Sequence, residues 1–433
     1  MTAIESLYQH YLKRPVICTD TRNITPDCLF FALKGDNFDA NTFAEKALTN
    51  GAAYAIIDNL SYKTSKQCIL VPDVLTTLQD LAKHHRSQLN IPVIGLTGSN
   101  GKTTTKELIK AVLSEKYNAF ATKGNLNNHI GVPLSILSLT TDTEIAVIEM
   151  GANHQKEIEF LCTIAQPTHG LITNVGMAHL DGFGGFEGVK KGKAELYAYL
   201  KNNHGFAFIN RNNHYLLEMS TAADLDKVIY YGTESTDTIS GKLIKTDPLI
   251  EISWSDKGAS YQTSVNLTGS YNFENILAAI CIGAFFDVTP SAINKGLSGY
   301  YPNNNRSQIT KTENNTVICD FYNANPSSMT AALNNVSLLT ADKKTVIIGD
   351  MFELGPESAG QHDLIAKQAE QLNVETLVFI GKYFYALKEK YKGNFLSTPA
   401  EAQEFLKNNP IKNSLVLLKG SRGMALEQLL PLL

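Results

Sequence analysis

Short apolar runs separated by polar turns recur along this chain of 433 residues, and their spacing predicts strands alternating with helices. In a first block, LFFAL (residues 29–33) and AYAIID (53–58) read as short strands bounded by turn residues. From residue 91 the pattern strengthens. IPVIGLT (91–97) reads as a buried strand ending in a Gly-rich turn, and Leu108, Ile109, Val112 and Leu113 then fall on one face of a helix. IAVIEM (145–150), GLITNV (170–175) and FAFIN (206–210) continue the alternation, the pattern of a mainly parallel sheet with helices on its faces. A third block repeats the scheme with TVICD (316–320), TVIIG (345–349), TLVFIG (376–381) and LVLLK (415–419). The turn-rich YYPNNNR (300–306) predicts the hinge between the second and third blocks. The expectation is an α/β protein of three domains: a small α/β domain at 1–89, a P-loop-type domain with a mainly parallel sheet at 90–305, and a Rossmann-like α/β domain at 306–433.

Composition narrows the classes of function. No segment approaches the roughly 20 apolar residues of a membrane span, and the opening MTAIESLYQHYLKRP has no basic start followed by an apolar run. A cytoplasmic protein without a membrane span is expected. A net charge of −4 with no basic block offers no footprint for nucleic acid and points to small-molecule partners. Cys18, Cys28, Cys68, Cys162, Cys281 and Cys319 are scattered without C-x-x-C spacing, so buried thiols are expected rather than a zinc site or disulfides.

The strongest chemical signal is TGSNGKTTT (97–105), set between the strand and the helix. Backbone N–H groups of Ser99, Asn100 and Thr104 and the positive end of the helix dipole suit phosphate oxygens there. Gly98 and Gly101 let the backbone turn closely around an anion, Lys102 reaches terminal phosphates, and Thr103 offers a hydroxyl to Mg²⁺. Leu96 stands where the first glycine of the usual G-x-x-x-x-G-K-T spacing belongs, leaving the shorter G-x-x-G-K-T-T form. Nucleotide binding follows from this loop, but the reaction does not. Glu149, ending a strand, is a candidate Mg²⁺ ligand and equally an ordinary strand-end carboxylate. His179 lies just past another strand in NVGMAHLDGFG (174–184), where a lone histidine is more often structural. Lys193, in KKGKAELY (190–197), shares its helix start with Lys190 and Lys191.

Taken in order, GSNGKTTTKE (98–107), TKGNLNNHIGVP (122–133), EMGANH (149–154), PTHGLITNVGMAHL (167–180), KGKAELY (191–197), GSYNFENILAA (269–279), NNRSQ (304–308), DFYNANPSSM (320–329), GDMFELG (349–355) and KGSRGMALE (419–427) resemble the Mur ligase family over nearly the whole chain. Within it they are most similar to the members that add D-alanyl-D-alanine to UDP-N-acetylmuramoyl tripeptide, in peptidoglycan precursor synthesis. The resemblance implies an ATP-dependent ligase that proceeds through an acyl phosphate to ADP and phosphate. By position, Lys102 and Thr103 would bind ATP phosphates and Mg²⁺, Glu149 would hold that ion, and His179 would help hold a second. Lys193 would be the carbamylated lysine, a CO₂ adduct that turns a repelling ammonium into an anionic oxygen ligand. Asn275 would lie on the adenine side, with Arg306 and Asp320 brought to ATP by the third domain and Asp320 meeting the ribose.

The same resemblance places Thr21 and Arg22, in TDTRNITPDCLFFALKGDNFDANTF (19–43), at the uridine diphosphate end of the substrate. Asn125, Asn127, Asn128 and His129 would line its muramoyl-peptide side. Asn323, Asn325 and Ser327 would recognise the acceptor dipeptide, although Ser327 or Ser328 also suits a helix cap. Asp27-Cys28 departs from the Gly-Asp that relatives commonly place before the strand, which bears on a turn. A monomer is expected. The rival reading, a family member adding one amino acid to the dipeptide precursor, lacks the D-N-P-R motif of many such enzymes in this sequence.

Overall fold

The computed structural model describes residues 2–433. Its strands form three large sheets and one short hairpin. The first sheet runs Ile17–Cys18, Leu29–Phe31, Tyr54–Ile57, Cys68–Leu70 in that spatial order, all parallel. The helix Val74–Ser87, capped by Asp73, comes after it and buries Leu78, Leu81 and Ala82. These residues join a hydrophobic core that also holds Val132, Ile136, Ile158 and Leu161 from beyond residue 90, so the first sheet is welded to the second domain.

The second sheet has nine strands, in the order Ala259–Val265, Ile250–Asp256, Ile239–Lys245, Lys227–Gly232, Phe206–Asn210, His169–Ile172, Val93–Thr97, Ile145–Glu149, Ala119–Ala121. The pairs from Ala119–Ala121 as far as Ile239–Lys245 are parallel. The last three strands form an antiparallel meander, a region the apolar-run pattern did not resolve. Its alternation of inward and outward positions is visible afterwards: Ile250, Ile252 and Trp254 are buried while their neighbours are half-exposed, and the turn between the final strands uses Lys257 and Gly258 at positive φ.

The third sheet, Gln308–Lys311, Thr316–Asp320, Leu415–Lys419, Lys344–Gly349, Thr376–Ile380, Asn394–Leu396, is parallel except for its first strand. The strands expected at 316–320 and 415–419 have those limits. All six cysteines are free and buried, as their spacing implied. No helix among the described residues is long and apolar enough to cross a membrane.

Candidate active site

The strand Val93–Thr97 is buried along its length and leads straight into the phosphate loop. Gly98 has φ +145° and Gly101 φ +76°; a Cβ on Gly98 would lie 2.0 Å from Thr173 Oγ1, and one on Gly101 2.6 Å from Asn275 Oδ1. Both positions therefore require glycine. The helix Lys102–Leu113 starts at Gly101 with no side-chain cap, leaving its first amides facing the loop. Lys102 folds over that loop, its Nζ donating to Gly98 O at 2.7 Å and Ser99 O at 3.2 Å. Burial, reinforced by Arg306, holds its ammonium below the usual lysine range, and Glu149 opposes the shift.

Strand register sets Glu149 opposite Leu96, at the carboxyl edge of the sheet beside the loop. The Glu149 side chain is almost wholly buried. Thr103 Oγ1 donates to its Oε2 at 3.0 Å and Asn127 Nδ2 to its Oε1 at 2.8 Å. His179 stands at φ +53° where the short helix Leu180–Phe183 begins, and its Nδ1 pairs with the Glu353 carboxylate of the third sheet's domain. Burial first, then Lys102, lowers the His179 pKa, with Glu353 opposing. Lys193 is buried on the helix Phe186–Asn202 with its ammonium 5.2 Å from the centre of the Phe183 ring, and it makes no hydrogen bond or ion pair among the described residues. Burial and then Lys102 hold its pKa well below the ordinary lysine value.

The third sheet supplies the facing wall. Asp320, at the end of Thr316–Asp320, accepts from Lys419 Nζ at 2.7 Å and from Ser307 N at 3.2 Å. The Arg306 guanidinium lies 3.5 Å from the centre of the Tyr322 ring. Asn325 caps the helix Pro326–Leu338 through a reciprocal pair of bonds with Ser328, so the cap is neither Ser327 nor Ser328. Its Nδ2 also reaches across to Asn100 Oδ1 at 2.7 Å, and Ser327 Oγ accepts from Met177 N at 3.2 Å. These bonds join the third domain directly to the phosphate loop and to the loop that carries His179.

Between the walls lies a cavity of about 870 Å³. It brings together Ser99 to Thr104, the Asn125, Asn127, Asn128 and His129 group, Glu149, His179, Asn275, Arg306, Asp320, Asn323, Asn325 and Ser327. Gly98 and Lys193 do not line it. Thr21 and Arg22 are not brought to it: they open an exposed turn, Thr21–Asn23, on the first domain, where Arg22 pairs with Asp20 at 2.6 Å. The sequence reading gave no role to Lys419, Glu353 or Tyr271, which the structure places in or beside the cavity. For Lys419 a signal existed, a lysine closing an otherwise apolar strand at the sheet's carboxyl edge. For Glu353 there was none, since its partner lies 174 positions away.

The same residues carry a family signature. A Mur ligase middle-domain model matches residues 96–283, and a Mur ligase glutamate-ligase-domain model matches 305–422. A UDP-N-acetylmuramoyl-tripeptide–D-alanyl-D-alanine ligase from Bacillus subtilis is 35% identical over 95% of this chain and 92% of its own length. The chain belongs to the Mur ligase family. The ligase of the same name from Escherichia coli is 34% identical, again over 95% of this chain and 92% of its own. Among solved Mur ligases, MurF from Acinetobacter baumannii superposes with a TM-score of 0.87 at 31% identity, covering 96% of this chain and 92% of the other. MurF from Thermotoga maritima, solved in complex with ADP, gives 0.84 at 26% identity over 100% and 98%. The three-sheet α/β architecture is thus that of a MurF-type Mur ligase.

Proposed function

We propose that this chain is the ATP-dependent ligase that joins D-alanyl-D-alanine to UDP-N-acetylmuramoyl tripeptide in peptidoglycan precursor synthesis. The observation that carries the reading is the convergence of a phosphate loop with Arg306, Asp320 and Lys419 of a second wall on one cavity, in a chain that matches ligases of that name over nearly its full length. The peptide carboxylate attacks the γ-phosphorus of ATP, the bond to the bridging oxygen breaks, and ADP forms with an acyl phosphate. The dipeptide amine then attacks the acyl carbon, gives up a proton, and phosphate leaves. Such chemistry needs alignment and positive charge around the transferring group, which Lys102 and Arg306 supply, and no enzyme nucleophile. The polar bonds of Asn325 and Ser327 hold the facing wall against the central domain, and closure of that kind would limit water at the acyl phosphate.

Mg²⁺ suits the donors present. Thr103 and Glu149 already share a hydrogen bond at the loop, and a hard cation bound to phosphates needs only one or two protein oxygens. They would hold one ion, and His179 with a carbamylated Lys193 a second. Bound there, Mg²⁺ would neutralise charge developing on the phosphate oxygens. Lys193 fits carbamylation because a buried, unpaired amine with a depressed pKa is the form that reacts with CO₂. Asn275, which touches the phosphate loop at Gly101, would lie on the adenine side and Asp320 on the ribose. Asn125, Asn127, Asn128 and His129 would meet the muramoyl peptide, Thr21 and Arg22 its distant uridine diphosphate end, and Asn323 the acceptor. The domains run 1–89, 90–305 and 306–433, and the protein acts as a cytoplasmic monomer.

Phosphate release tests the reading. UDP-N-acetylmuramoyl tripeptide with D-alanyl-D-alanine is expected to give turnover, whereas free D-alanine, L-lysine and diaminopimelate, the last two also with the dipeptide precursor, are not. Preference for a free amino acid on the dipeptide precursor would reassign the chain to the single-amino-acid ligases.

A further inference from the structure

Lys106 lies one helical turn beyond Lys102 and lines no part of the cavity, yet its side chain is fully buried. Burying an ammonium is costly unless it is paired, and an unbranched apolar side chain would fill the same space without that cost. The Lys106 Nζ donates to Thr122 O at 2.6 Å and lies 3.0 Å from Glu107 Oε1 and 3.8 Å from Glu149 Oε2. Thr122 is itself tied to the same strand end, because its Oγ1 accepts from Glu149 N at 3.0 Å and its N donates to Val147 O. One ammonium therefore links the phosphate-loop helix, the start of the Asn125–His129 loop and the Glu149 carboxylate. The other groups on that carboxylate, Thr103 and Asn127, are neutral donors.

We infer that Lys106 is a positioning residue that holds Glu149 fixed in the orientation Thr103 and Asn127 share. The inference rests on the reading of Glu149 as the carboxylate that holds the nucleotide-bound divalent ion. Lys106 touches neither nucleotide nor substrate; it acts through Glu149. Its removal should weaken the metal-dependent part of nucleotide binding and spare the part that comes from the loop amides.

Calorimetric binding of ADP to the full-length protein, once with Mg²⁺ and once with EDTA, separates these parts. In Lys106→Met the tightening that Mg²⁺ gives the wild type should shrink by about tenfold or more, as loss of an outer partner of a metal ligand does. Affinity in EDTA should stay within about twofold, because the loop is intact. An undiminished tightening, or equal losses with and without Mg²⁺, would overturn the proposal. Should Lys106→Met fold poorly, Lys106→Met/Glu149→Gln removes the buried cation and its partner together. That double variant should match Glu149→Gln alone, and any further loss of Mg²⁺-dependent tightening would place the action of Lys106 elsewhere. Glu149→Gln also guards the underlying reading: if it keeps the full tightening, Glu149 holds no metal and the role inferred for Lys106 goes with it. If Glu149→Gln loses the tightening and Lys106→Met does not, the inference about Lys106 alone is wrong.

Discussion

At Lys193, burial removes the water that would stabilise an ammonium, and Lys102 adds like charge nearby. Both effects favour the neutral amine, the species that combines with CO₂. Lys193→Ala should therefore lower turnover by about a hundredfold or more, and acetate or another short carboxylate should restore part of it. Carbon-13 bicarbonate should add a carbamate resonance to the wild-type protein that the variant lacks, and normal turnover by Lys193→Ala would remove the assignment. Asp27 shows the opposite kind of legibility. The sequence marked it as a departure where relatives have glycine, and the structure gives it φ +64°. Its ion pair with Arg14, 3.5 Å long, is largely exposed on the aspartate side and contributes little. Asp27→Gly should raise unfolding stability by about 0.5 kcal/mol, less than the full relief of a left-handed residue because glycine costs entropy. Urea unfolding followed by circular dichroism would show it, and a fall in stability would mean that the carboxylate outweighs the turn. Lys106, by contrast, was unreadable as a site residue. Its partners Thr122 and Glu149 are 16 and 43 positions away, and only the fold shows that they meet.

The elements most readable in the sequence were those that are apolar on both faces. Val93–Thr97 and Leu415–Lys419 are apolar runs buried by neighbours on both faces, so their positions followed from hydrophobicity alone. The meander at 239–265 was not read because its strands are half-exposed and carry Ser, Lys, Glu and Gln at outward positions. The helix Pro326–Leu338 shows a subtler limit. The sequence suggested a cap at Ser327 or Ser328, past the true cap at Asn325, and did not show that Asn325 spends one amide atom on the cap and the other on Asn100. These two uses can be separated. Asn325→Ser keeps a capping oxygen but is too short to reach Asn100, so its stability should stay within about 0.5 kcal/mol of wild type. Its kcat/KM for ATP should fall about three- to tenfold, the worth of one hydrogen bond in the closed cavity. Asn325→Ala should lose that and about 1 kcal/mol of stability besides. Thermal unfolding together with phosphate-release kinetics tests both, and wild-type kinetics in Asn325→Ser would show that the bond to Asn100 does not help closure.

For the whole molecule, three blocks were expected from the strand pattern, and their sheets occupy 17–70, 93–265 and 308–419. Hydrophobic pattern could not tell how tightly neighbouring blocks adhere, because that depends on which helix faces meet. The first block shares its core with the second: Tyr8, Tyr11, Leu78 and Leu81 pack with Val132, Ile136 and Leu161. Bonds from Tyr11 to Leu137 O at 2.7 Å and from Arg86 to Ala165 O at 3.0 Å reinforce the junction. Among the described residues, the hydrophobic cores of the third block draw only on residues from Val317 to Leu433. Polar bonds tie that block to the second, as between Asn335 and Thr268 or Thr340 and Asp247. Blocks one and two should therefore unfold as one unit and the third separately, which is also what a domain that opens and closes on ATP requires. Trp254, the chain's single tryptophan and buried in the second block, reports on that unit. Leu78→Ala, in the first block, should shift the Trp254 fluorescence transition by about 2–5 kcal/mol, the cost of a cavity in a shared core. Phe379→Ala, fully buried in the third sheet, should leave that transition in place while lowering the stability of residues 308–433 in hydrogen exchange by about 3–5 kcal/mol. A Trp254 transition that ignores Leu78→Ala, or follows Phe379→Ala, would show that cooperativity runs along other lines than the cores do.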